Sequence, residues 1–154
     1  MKHMKFVLVP VFTATALLFV SAAGIDARAE DRQAPMGLRT LMEKLGRDMQ
    51  AVTGAISTED WELVEELAPG IARHAEPPAM EKVRILRWVG TDAGKFRGFD
   101  AQVEQAANAM AEAAARDDGL EVIRRFSEVQ QACLGCHQQF RGPFVEHFHN
   151  RRDR

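Results

Sequence analysis

Both cysteines of the 154-residue chain fall in one pentapeptide, Cys133-Leu134-Gly135-Cys136-His137. C-x-x-C-H is the attachment pattern of c-type haem: each thiol adds to a vinyl group of the porphyrin, and the histidine behind the second cysteine offers its imidazole to iron. On a helix, Cys133 and His137 lie four residues apart and share a face, with Cys136 beside them. One helical edge can therefore hold the whole macrocycle. Two other chemistries use paired cysteines. A dithiol redox pair wants C-x-x-C opening a helix after a strand, with a depressed thiol pKa, but this pair comes late in a long helical pattern that no strand precedes. A structural zinc site needs four ligands, and no second Cys or His pair stands at the required spacing. The motif predicts one covalent haem c, tethered through Cys133 and Cys136, with His137 on the iron and one iron face undecided. A haem-free dithiol protein stays as an alternative.

The elements that must position this motif are helical. The first helix opens at Pro35, a favoured first-turn residue, and carries Leu38, Leu41, Met42, Leu45, Met49, Val52 and Ile56 as an apolar stripe opposite Arg39, Glu43, Lys44, Arg47 and Asp48. Ser57-Thr58-Glu59-Asp60 supplies cap residues for a second helix running to about Glu76, which buries Trp61, Val64, Leu67, Ala68, Ile71 and Ala75 and is stopped by Pro77-Pro78. Residues 79–95 read as a long crossover with one helical turn, since Val83, Ile85, Leu86 and Trp88 are apolar enough to pack but Gly90, Thr91, Asp92 and Gly94 break the pattern. A third helix from Phe96 or Phe99 to Arg116 buries Val103, Ala106, Ala107, Met110 and Ala114, and Asp117-Asp118-Gly119 closes it. The fourth, from Leu120 to about Phe140, keeps Val122, Phe126, Val129, Cys133, Cys136, His137 and Phe140 on one stripe, and Gly142-Pro143 ends it before a polar tail. The fold expected is all-α: an antiparallel up-down-up-down four-helix bundle, its helices about 20° off parallel. The start of the first helix then lies beside the end of the fourth, where the haem would hang.

Residues 1–29 read as a cleaved signal peptide. A basic head (Lys2, His3, Lys5) precedes an apolar run from Phe6 to Val20, and Ala27-Arg28-Ala29 offers the small residues of a cleavage site before Glu30, with Ser21-Ala22-Ala23 as the second candidate. The run is shorter than the ~20 residues of a membrane-spanning helix. Export also suits covalent haem attachment, so the expected compartment is a bacterial periplasm. Residues 30–154, a single domain, keep 17 Lys and Arg against 21 Asp and Glu. That balance gives no electrostatic footprint for nucleic acid. No hydrolytic triad, phosphate loop or spare buried carboxylate pair is present, so an enzyme is not expected.

In size, helical pattern and placement of the motif near the C-terminus, the chain resembles the class II c-type cytochromes, the cytochrome c-prime group and its low-spin relatives. The resemblance spans Pro35 to about Arg141 and rests on CLGCHQQFR, where the family follows the histidine with an aromatic and a basic residue, and on LMEKLGRDMQAVTGAI in the first helix. The segment 79–95 has no counterpart in it, and the tail after Pro143 is longer than usual. It implies a periplasmic haem bundle that transfers single electrons, with a periplasmic or membrane-bound redox partner, or that binds NO or CO. Family members often pair through the first helix, which adds a homodimer to the expected partners.

Within the family the first-helix residue facing the iron separates the two activities. A methionine sulfur gives six-coordinate haem suited to electron transfer, whereas an apolar residue there leaves iron five-coordinate and open to gases. The match places Met42 at the ligating position, four residues before Gly46. Helix geometry points to the same residue, since Met42 and His137 both fall within roughly 10 Å of one bundle end at ~1.5 Å per residue, and Met49 lies about 10 Å deeper. Leu38, one turn before Met42, is the rival that would block the face, and a flexible core filler is the ordinary role for a helical methionine. Arg141, four residues after His137, would pair with a haem propionate or crowd the imidazole. His74 is expected to cap the second helix or face solvent, and His147 and His149 to lie in the polar tail.

Overall fold

The structure, a computed structural model, describes residues 36–149; the expected leader and cleavage site lie outside the described residues. The elements are α1 (Met36–Ser57), α2 (Trp61–Ala72), α3 (Ala79–Val89), a 3-10 turn (Gly90–Asp92), α4 (Ala93–Ala114), α5 (Gly119–Cys136), a π-helical turn (His137–Arg141) and α6 (Gly142–Phe148). α1, α2, α4 and α5 form the four-helix bundle, and no strand occurs among the described residues.

Two short turns close one end of the bundle by the same device. Glu59 (φ 57°) and Asp117 (φ 55°) adopt the left-handed conformation, and the next residue sends its N–H back five residues, from Asp60 to the Ala55 carbonyl and from Asp118 to the Ala113 carbonyl. These are Schellman closures. The same aspartates then cap the following helices, Asp60 Oδ1 accepting from the Leu63 N–H and Asp118 Oδ1 from the Glu121 N–H, each at 3.1 Å. Trp61 presses on Gly119, where a Cβ would come within 2.7 Å of the indole, so the two turns are locked together. The main core fills the space above them: Val52, Val64, Ile71, Met110, Val122 and Val129 are fully buried, each worth about 1.5–3 kcal/mol on burial.

At the opposite end the structure corrects the expectations. Residues 79–89 form a three-turn helix rather than an irregular crossover. Ile85 and Val89 are its buried stripe, and Gly90 is its cap with φ 60°, so the glycine marks a helix end instead of disrupting one. α4 consequently starts at Ala93, earlier than Phe96. α2 ends at Ala72, before Glu76, because the His74 ring turns back on the Ile71 carbonyl (Nδ1 to O 2.9 Å), which is the capping role expected of it. Gly142-Pro143 does not end the last helix. The π turn at His137–Arg141 widens the coil, and Pro143 begins α6, where its missing N–H and its ring are tolerated. The tail is also not polar: Phe144, His147 and Phe148 pack on Trp88, with ring centroids 5.6, 5.9 and 5.7 Å away.

α3 also fixes α1. Glu81 accepts the first free N–H groups of α1, from Gly37 (3.1 Å) and Leu38 (2.7 Å). A Cβ on Gly37 would sit 2.6 Å from the Pro78 ring. The helix that faces the haem motif is therefore clamped at its N-terminus by the crossover.

Candidate haem site

α1 and α5 touch only lightly, and a cavity of about 840 Å³ opens between them. That size lies within the roughly 300–1,000 Å³ of ligand pockets. One wall is α1, with Leu38, Leu41, Met42, Leu45, Gly46 and Met49; the facing wall is α5 and the π turn, with Cys133, Leu134, Cys136 and His137. Ile85, Leu86, Phe96 and Phe99 close the side toward α3 and α4. A fringe of His74, Glu76, Lys82, Arg97 and Asp100 supplies the charged groups.

The α5 wall is held by close packing. Gly135, between the cysteines, lies under the Phe99 ring, where a Cβ would come within 2.6 Å of Cε1. Phe140, buried, meets Phe96 and Phe99 edge-on at 5.3 and 6.5 Å. Both cysteines are half-buried, free thiols. Burial pushes the Cys133 thiol up, and burial, then the charges of Cys133 and Asp100, push Cys136 up to about 11. These shifts run opposite to what a dithiol redox centre needs, because the thiolate is the reactive form. Burial, and then the Arg141 guanidinium, lower the His137 pKa. The imidazole stays neutral, the form that can bind a metal ion. Arg141 itself is exposed.

Cys133, Cys136, His137, Met42 and Leu38 thus line one cavity, as the antiparallel register of the first and last bundle helices requires. Met49, placed about 10 Å deeper by residue counting, lines it as well, while Met110 is fully buried in the main core. The charged fringe and Phe99 had no sequence signal. They come from the stretch after α2, from α3 and from the start of α4, and only the packed fold brings them together, as where His74 meets Asp100. Among the described residues no three His, Cys, Asp or Glu side chains converge as a metal-binding group.

The profile of the cytochrome c' family matches residues 39–141. The chain belongs to the cytochrome c' family. No curated protein and no solved structure matches it. Members of the family carry covalently attached haem c with iron, and that is the cofactor of this chain. The donor set suits it: two accessible thiols three residues apart, a neutral imidazole directly behind them, and an apolar cavity of ligand size opposite. No described helix is long and apolar enough to cross a membrane.

Proposed function

We propose that this cytochrome c' family member is an exported, periplasmic carrier of single electrons, residues 30–154 following a leader at 1–29, with Met42 as sixth ligand. When bound, haem c supplies a one-electron ferric/ferrous couple. Cys133 and Cys136 would tether it along α5, and the π turn would present the His137 imidazole. The α1 wall and the phenylalanines would exclude water, and the Met42 thioether would join the His137 imidazole in holding the iron, favouring the reduced state.

One observation carries the choice of Met42. It lines the cavity yet stays 39% exposed and joins neither apolar cluster, so it is not core filler. Leu38 is committed elsewhere, packed with Ile85, Val89 and Phe140 toward α3. Met49 is packed against the main core.

The test is the visible spectrum of the holoprotein and two variants. The parent should be low-spin, with a methionine-to-iron charge-transfer band. Met42→Ala should turn high-spin, lose that band and bind CO or NO. Because Met42 is partly exposed, this truncation should cost only about 1–2 kcal/mol, less than the about 1.5–3 for full burial. Met49→Ala should lose stability without a change of spin. A high-spin parent, or a Met42→Ala protein that stays low-spin, replaces this reading with five-coordinate gas binding under Leu38.

A further inference from the structure

Charge is distributed unevenly along the chain. Residues 36–78 and 98–140 hold seven Lys and Arg against fifteen Asp and Glu, whereas residues 79–97 hold five against two and residues 141–154 four against two. The basic segment 79–97 meets α6, because Trp88 of α3 packs on Phe144 and Phe148 of α6 and the Arg84 guanidinium lies over the Phe148 ring. Arg151, Arg152 and Arg154 follow α6 directly in sequence. α3 and the start of α4 thus carry a net positive charge in an otherwise acidic chain.

The same place is apolar at its surface. Met80 and Val83, one turn apart on α3, are 75% and 48% exposed, and Arg87 is exposed one turn further on. Lys95, at the start of α4, is exposed as well, its ammonium 3.3 Å from Asp92 Oδ1. Beneath this surface runs one packed cluster that contains Trp88, Phe144, Val89, Ile85, Phe140, Phe99 and Cys136. The face is therefore joined to a haem-tethering cysteine by contiguous side chains. α6 lies beyond the residues that the family profile matches.

We propose that the α3–α6 face is the docking surface for the redox partner, and that the partner is a protein presenting an acidic surface to it. The proposal rests on the electron-transfer reading above. Complementary rim charge raises encounter rates and sets orientation. Met80 and Val83 supply apolar contact once the surfaces meet. A partner chosen by net charge alone would have to be basic, so the sign of the preferred partner discriminates local from global electrostatics.

Polyglutamate serves as the acidic probe. Titrated into reduced, isotope-labelled holoprotein at about 10 mM ionic strength, where screening is weak, it should shift backbone amides in residues 79–97 and 142–148 and few others. The shifts should vanish in Arg87→Glu/Lys95→Glu, whose exposed side chains are outside the cavity lining. Oxidation by anionic hexacyanoferrate(III) should slow roughly tenfold or more in that variant at low salt and converge with the parent at high salt. Shifts that are absent, dispersed or centred on another face overturn the proposal, as does a variant that behaves like the parent. Binding to phosphatidylglycerol vesicles without a polyglutamate response overturns it in favour of a membrane surface. If hexacyanoferrate(III) oxidises neither protein, the electron-transfer reading fails, and the polyglutamate titration still decides the face.

Discussion

Gly135 separates the two cysteines, and the structure gives a steric reason for glycine there. A Cβ would lie 2.6 Å from Phe99 Cε1, 3.2 Å from Cζ and 3.4 Å from Cδ1. The Phe99 ring has little freedom to yield, since it packs with Phe140, Ile85 and Cys136 in the cluster beside the cavity. Gly135→Ala must therefore push α4 from α5 or force the ring off its rotamer, which costs about 1–3 kcal/mol. Alanine is better than glycine in a helix by about 0.5–1 kcal/mol, leaving a net loss of about 1 kcal/mol at mid-range. For a domain of this size that is a fall in Tm of roughly 2–8 °C. Thermal unfolding followed by circular dichroism measures it, and the haem-to-protein ratio of the purified chain should fall too, because the displaced segment carries both tethers. Phe99→Leu in the Gly135→Ala background should restore part of the loss, with a coupling above about 0.5 kcal/mol. An alanine variant as stable as the parent, or a loss that Phe99→Leu leaves untouched, refutes the steric argument.

The two-thiol variant Cys133→Ala/Cys136→Ala should lose covalent haem but keep the buried main core around Met110 and Val122; hydrogen exchange should show protection retained there and lost in α3 and α6. His74 Nε2 lies 3.1 Å from Asp100 Oδ1, and this hydrogen bond raises the His74 pKa above 6.5 and lowers that of Asp100 below 3.8. The His74 contribution is full below pH 6.5 and fades as pH rises through its raised value, while the Asp100 contribution is present above pH 3.8 and fades as pH falls through its lowered value. The pair therefore stabilises most between those limits. Asp100→Asn should cost less than about 1 kcal/mol at pH 5.5, because the carboxylate is mostly exposed, and the difference from the parent in thermal unfolding should shrink toward pH 9.

The bundle was legible because each of its helices has its own amphipathic stripe, and two of them, α2 and α5, open on a cap residue that acts locally, Asp60 and Asp118. The haem motif was legible for a different reason, since its chemistry is set by spacing alone. The segment 79–95 was not. Its buried residues, Ile85 and Val89, are few, and Gly90 reads identically as a breaker or as a terminal cap until its neighbours are placed. Pro143 misled for a related reason: the π turn that accommodates it has no sequence signature, and Phe144 and Phe148 look like an undirected tail until Trp88 is placed beside them.

The segment that was hardest to read fixes the register of the cavity. α1 and α5 barely touch, so nothing on α5 determines which α1 residue stands opposite His137. Glu81 does so from α3, by taking the Gly37 and Leu38 N–H groups, while Leu38 packs into the cluster formed by Ile85, Val89 and Phe140. With Leu38 anchored toward α3, the next turn of α1 brings Met42 to the cavity, unencumbered by core contacts. A weak seam between α1 and α5 is what leaves room for a macrocycle, and the crossover clamp is what keeps that seam in register.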